Sequence, residues 1–136
     1  MDTALENGSV RDDGPALVRR ILKELTDQSL AWKTINIEAV LRDVSRDADR
    51  KANKQVFRLD ITAGSPRPKQ TYMDISYCEG DRFIQCCTRD GDPFNIEFVP
   101  DKQGNLVTRL PHGPVSTVKE AAEFILKPLL KYIGGQ

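Results

Sequence analysis

The sequence lacks long apolar runs, is poor in cysteine, has a single histidine, and favours neither sign of charge. Each shortage excludes something. No apolar stretch approaches the roughly 18–20 residues that a membrane helix needs, so no membrane partner is expected. Three cysteines, Cys78, Cys86 and Cys87, are an odd number without framework spacing, which argues against a secreted disulfide scaffold. His112 is the sole histidine. A histidine-based metal site would need thiolates converging on it, yet Cys86 and Cys87 are neighbours whose side chains leave opposite faces of a strand. Neither metal ligands nor a cofactor set is expected. There is no P-loop, no GxGxxG and no GxSxG, and no catalytic residues are assigned.

Twenty Lys and Arg balance twenty Asp and Glu, giving a formal net charge of zero. Affinity for a phosphate backbone comes from neutralising it, so a dedicated nucleic-acid binder usually carries a basic surplus. The first residues, Met1-Asp2-Thr3-Ala4-Leu5-Glu6, carry neither the basic region nor the apolar run of a signal peptide. A cytoplasmic location is the expectation.

What is present is ordinary globular composition: 39% apolar and 29% charged in 136 residues, a length that suits one domain of about 100–150 residues. Residues 1–13 are polar and read as a flexible N-terminal tail, leaving a single α+β domain over 14–136. A first helix is expected from Gly14-Pro15, with Asp13 as N-cap and Leu17, Val18, Ile21, Leu22 and Leu25 as its buried stripe. Ile37, Val40, Leu41 and Val44 recur at helical spacing, which predicts a second helix from about Asn36 toward Asn53.

About five strands follow. Phe57, Leu59 and Ile61 alternate with Arg58, Asp60 and Thr62, the mark of a half-buried strand. Gly64 to Pro68 forms a loop, because its prolines cannot join a ladder. A hairpin at Gly80-Asp81 sets Ile75 opposite Cys86 and Tyr77 opposite Ile84. An Asp90-Gly91-Asp92 loop, with a nearby bulge, puts Phe94, Ile96 and Phe98 beside Ile84 and Cys86. A further turn at 101–105 leads into a fifth strand, Leu106–Leu110. The last helix opens on a Thr117–Glu120 capping box, buries Val118, Ala121, Ala122, Ile125, Leu129 and Ile133, contains Pro128 with an expected kink, and stops at Gly134. Helices segregated from short-turn strands mean an α+β fold with an antiparallel meander sheet. One apolar face is covered by the N-terminal and C-terminal helices. The other face, with Arg58, Asp60, Asp74, Ser76, Gln85, Glu97 and Arg109, stays polar.

Two groups of residues invite a partner. Arg42, Arg46, Arg50 and Lys54 fall four apart and would form a cationic ridge on the expected second helix, followed by Arg58, Arg67 and Lys69. Such a row suits an anionic partner: a nucleic acid, a phosphorylated ligand or an acidic protein. Asp43, Asp47 and Asp49 interleave with it and could neutralise it instead. Tyr72 on the polar sheet face and Phe124 on the last helix are interface candidates, since aromatic anchors dominate protein interfaces. The leading functional expectation is a non-catalytic protein-binding or adaptor module, acting on a partner protein or a second copy of itself. The alternatives are nucleic-acid or phosphate-ligand binding through residues 42–69, and a small-molecule binder or enzyme with a pocket between the sheet and the last helix, lined by Tyr77, Phe98 and Leu129 near Pro128.

Overall fold

The computed structural model describes residues 14–64, 69–89 and 91–134. The expected N-terminal tail, the Asp13 cap and Arg67 lie outside these residues. Helix α1 spans Gly14–Leu30 and buries Leu17, Val18, Ile21 and Leu25. A short 3₁₀ turn, Ala31–Ile35, follows, and it ends at Asn36 in the left-handed conformation (φ 63°).

The chain then departs from the sequence-based expectation. Ile37–Asp43 is a strand, β1, and only Asp47–Lys51 is helical, as the short α2. There is no long second helix. Ile37, Val40, Leu41 and Val44 satisfy helical spacing, but Ile37, Ala39 and Leu41 also satisfy period two. Pairing decides between them: seven residues of β1 lie antiparallel to β2 (Lys54–Ala63), from Ile37 opposite Ala63 to Asp43 opposite Phe57. Asn36, tolerant of positive φ, turns the chain out of the 3₁₀ turn and into that strand.

The remaining strands are β3 (Lys69–Cys78), β4 (Phe83–Thr88), β5 (Phe94–Pro100), β6 (Leu106–Arg109) and β7 (Val115–Ser116). All seven form one sheet in chain order, each antiparallel to the next. The meander expected from the sequence is present, extended by β1 at one edge and the two-residue β7 at the other. The expected register between β3 and β4 holds, with Ile75 opposite Cys86. Between β4 and β5 the expected face is right but the connection is longer: Cys86 faces Phe94 and Ile84 faces Ile96. Asp101 Oδ1 closes the β5–β6 turn by accepting from the Gln103 and Asn105 amides at 2.8 and 2.9 Å, with Gly104 at φ 85°.

Helix α3 spans Val118–Gly134 and runs through Pro128. Its capping box is formed: the Thr117 N–H donates to Glu120 Oε1 at 2.9 Å and the Glu120 N–H to Thr117 Oγ1 at 3.1 Å. Both long helices cover one face of the sheet. Ile21, Leu25, Ala121, Ala122, Ile125 and Leu129 meet Leu59, Met73, Ile75, Ile84 and Ile96 in one continuous core. Thr108, also fully buried in the β6 row, ties this layer to the start of α3. Its hydroxyl lies 2.7 Å from Ser116 Oγ and donates toward the carbonyls of Ser116 and Thr117. Among the described residues no helix is long and apolar enough to cross a membrane.

Candidate functional site

Strict alternation along the strands sends every second side chain away from the helices. Among the described residues no element covers that second face, the open face of the sheet. Its rows follow from the pairing registers. Arg42, Arg58, Asp74 and Cys87 form one row across β1 to β4. Val40, Asp60 and Tyr72 form the next. Val56, Ser76, Gln85 and Asn95 form a third, and Phe83, Glu97, Arg109 and Val115 a fourth.

Ion pairs bind these rows diagonally and directly. Arg42 Nε and Nη2 both donate to Asp60 Oδ2, at 2.9 and 2.6 Å. Arg58 grips Asp74 with two parallel bonds, Nε to Oδ1 at 2.7 Å and Nη2 to Oδ2 at 3.0 Å, the fork geometry that suits a guanidinium to a carboxylate. The same guanidinium lies 4.0 Å above the centre of the Tyr72 ring, a cation–π contact. The hydrogen bonds from Arg58 to Asp74 raise the Arg58 pKa above its ordinary value. Farther along, Arg109 Nε donates to Glu97 Oε1 at 2.8 Å. The result is a plate of arginine, carboxylate and tyrosine whose charged groups already have partners.

The expected cationic ridge is not assembled. Arg42 stands on β1, Arg46 in the turn before α2, Arg50 on α2 and Lys54 at the start of β2. Part of this charge is matched. Arg42 and Arg58 hold Asp60 and Asp74, and Arg50 lies 4.0 Å from Asp43 and 3.8 Å from Asp47. The bond from Arg46 to the Asp49 carboxylate, at 2.8 Å, comes from its backbone N–H and caps α2 rather than matching its side-chain charge. The hydroxyl and amide of Ser45 hold the Asp43 carboxyl below the usual carboxylate range. Lys69 sits 5.9 Å from the Tyr132 ring centre. Arg50 and Lys54 do meet in a cleft of about 390 Å³, joined by Arg19 of α1, but Asp43 and Glu79 share it. Arg19 was beyond sequence reasoning, because nothing local to α1 indicates that it faces the β1–β2 connection.

The two aromatic candidates separate. Tyr72 is half-buried on the open face beneath Arg58. Phe124 turns inward, packs against the core and meets Phe94 edge-on, with ring centres 5.4 Å apart. Its place on α3, between Ala121 and Ile125, puts it beside the buried stripe rather than opposite it. Tyr77, Phe98 and Leu129 are buried core side chains. Near Pro128 and Leu129 there is a depression of about 210 Å³, completed by Thr71, Thr88, Gly91 and Tyr132.

A further depression belongs to the open face. About 580 Å³ in volume, it is lined by Gln85, Asn95, Glu97 and Arg109 of the sheet and rimmed by Pro111, His112 and Gly113. His112 stands on this rim, held at φ 53°. Of the adjacent cysteines, Cys86 is buried in the core, which pushes its thiol pKa up, while the Cys87 thiol donates to the Thr88 carbonyl at 3.4 Å on the open side. Among the described residues no three His, Cys, Asp or Glu side chains converge as metal ligands. Comparison of the chain with protein-family models, with curated proteins and with solved structures found no match.

Proposed function

We propose that the protein is a non-catalytic binding module that docks a partner protein on the open face of its sheet. One observation carries this reading: the helices seal one face, while the other presents a pre-ordered plate of Arg42, Asp60, Tyr72, Arg58 and Asp74. Tyr and Arg are the residues that most often anchor protein interfaces. Here the arginine is held at both ends, by the carboxylate fork and by the ring. Binding then costs little side-chain entropy, the usual charge for immobilising such a residue being about 0.5–1.5 kcal/mol. The adjoining cleft at Gln85, Asn95 and Arg109 offers a recess for a protruding side chain or loop.

The same geometry speaks against the phosphate-binding alternative. A phosphate would have to displace the carboxylates already held by Arg42 and Arg58.

The test is recovery of partner proteins with tagged protein from its own cells. Proteins retained by the native chain are expected to be lost with Tyr72→Asp. They should be kept with Glu123→Arg on the exposed side of α3, with thermal melting unchanged in both variants. Equal recovery by all three chains would refute the reading.

A further inference from the structure

A sheet in chain order has two edges, and here they differ. β7 is two residues long, too short to template another strand. β1 is seven residues long, pairs with β2 without a bulge, and contains no proline, lysine or glycine. Proteins normally blunt such an edge with short length, proline, bulges or charged side chains, because its unpaired backbone groups invite another strand; of these β1 carries only charge, in Glu38, Arg42 and Asp43.

The ladder shows which groups are unpaired. The Val44 N–H donates to the Val56 carbonyl at 2.9 Å, and the Gly64 N–H to the Asn36 carbonyl at 3.4 Å. Both bonds lie in the register of the strand they bracket. Hydrogen-bonded pairs with β2 therefore fall on residues 36, 38, 40, 42 and 44, since the two pair types alternate in an antiparallel ladder. Ile37, Ala39, Leu41 and Asp43 consequently turn their N–H and C=O groups outward. No backbone partner for these groups exists among the described residues.

We infer that β1 pairs with β1 of a second copy about a two-fold axis at Val40, joining two sheets into one. That axis places Ala39 opposite Leu41 of the other copy, so the outward-facing groups meet in hydrogen-bonded pairs. It places Val40 against itself. It also places Glu38 opposite Arg42, twice by symmetry. An axis at residue 39 or 41 would set Glu38 opposite Val40 or Val44, without a charge partner, so charge selects the register. In the single chain Glu38 has no ion pair among the described residues. Arg42 is exposed, and its bonds to Asp60 use only Nε and Nη2, leaving Nη1 to meet Glu38 of the second copy. Exposed apolar side chains lie on and just before the strand as well: Val40 is 50% and Ile35 63% exposed. The contact runs along the β1 edge and shares Arg42 with the border of the open face, but it does not require that face to bind a partner.

Sedimentation velocity on the full chain tests the pairing. The native protein should run at twice the chain mass. Glu38→Arg alone opposes two arginines, and Arg42→Glu alone opposes two glutamates, so each should run as a monomer. An equimolar mixture of the two should recover a dimer, because every cross-edge pair is then of opposite sign. That recovery also shows both variants to be folded. Val40→Cys gives a second readout: oxidation should link the copies through the two introduced thiols, identified by peptide mapping. A native monomer would overturn the inference. So would a dimer that persists in both charge variants, or a Val40→Cys protein whose oxidised dimer is linked elsewhere.

Discussion

Replacing Thr108 with valine changes the shape of the core very little and removes one hydroxyl. That group is fully buried, sits 2.7 Å from Ser116 Oγ and serves the Ser116 and Thr117 carbonyls at 3.0 and 3.2 Å. Valine leaves Ser116 Oγ without its buried partner at the point where β7 hands the chain to α3. A buried polar group stripped of its partner costs about 1–3 kcal/mol. The melting entropy of a 136-residue chain, at about 2.1 cal/mol/K per residue, converts that into a fall in Tm of roughly 3–10 °C. Calorimetry measures the shift directly. Thr108→Val combined with Ser116→Ala removes both hydroxyls and should cost less than the sum of the single changes, because no orphan hydroxyl remains. A neutral Thr108→Val, or a double variant at least as costly as the sum, would refute the claim that this buried pair fastens α3 to the sheet.

The ion pairs of the open face should rank by exposure. Arg58→Gln, with partners 33% and 26% exposed, should lower stability by up to about 1 kcal/mol, and Arg42→Gln by a few tenths at most, with both losses shrinking in high salt during urea denaturation. Cys86 should resist alkylation in the native state while Cys87 reacts. The raised pKa of Cys86 means that the folded chain keeps a proton that the unfolded chain releases above about pH 8.5. Stability should therefore be intact below that pH and fall as pH rises beyond it. A melting series from pH 7 to 10 on native protein and Cys86→Ala checks the sign, the variant being less sensitive. Duplex and single-stranded nucleic-acid probes should show no salt-sensitive retention in gel-shift assays; a steep loss of binding with added salt would restore the anionic-partner reading.

Much of the fold was legible because local signals agreed with one another. The Thr117–Glu120 box marked α3, and the Gly80 turn together with the Ile75–Cys86 alternation set the β3–β4 register. β1 was not legible. Its apolar residues fit two periods at once, and as an edge strand it exposes Val40, the residue that makes the helical stripe look complete. β7 is too short to carry any period. The polar face could be read from Arg58, Asp60, Asp74 and Gln85, but the partner of Arg42 could not. Asp60 is 18 positions away, and only the pairing of β1 with β2 brings the two together. The inward turn of Phe124 likewise depends on Phe94, which belongs to a distant strand.

The docking claim is tested most directly by photo-cross-linking in living cells, with a photoreactive residue placed at Gln85 in the middle of the open face and, separately, at Glu123 on the outer side of α3. Discrete protein adducts from Gln85, absent from Glu123 and abolished by Tyr72→Asp, are the expected result. Adducts that form equally at both positions, or that survive Tyr72→Asp, would contradict it.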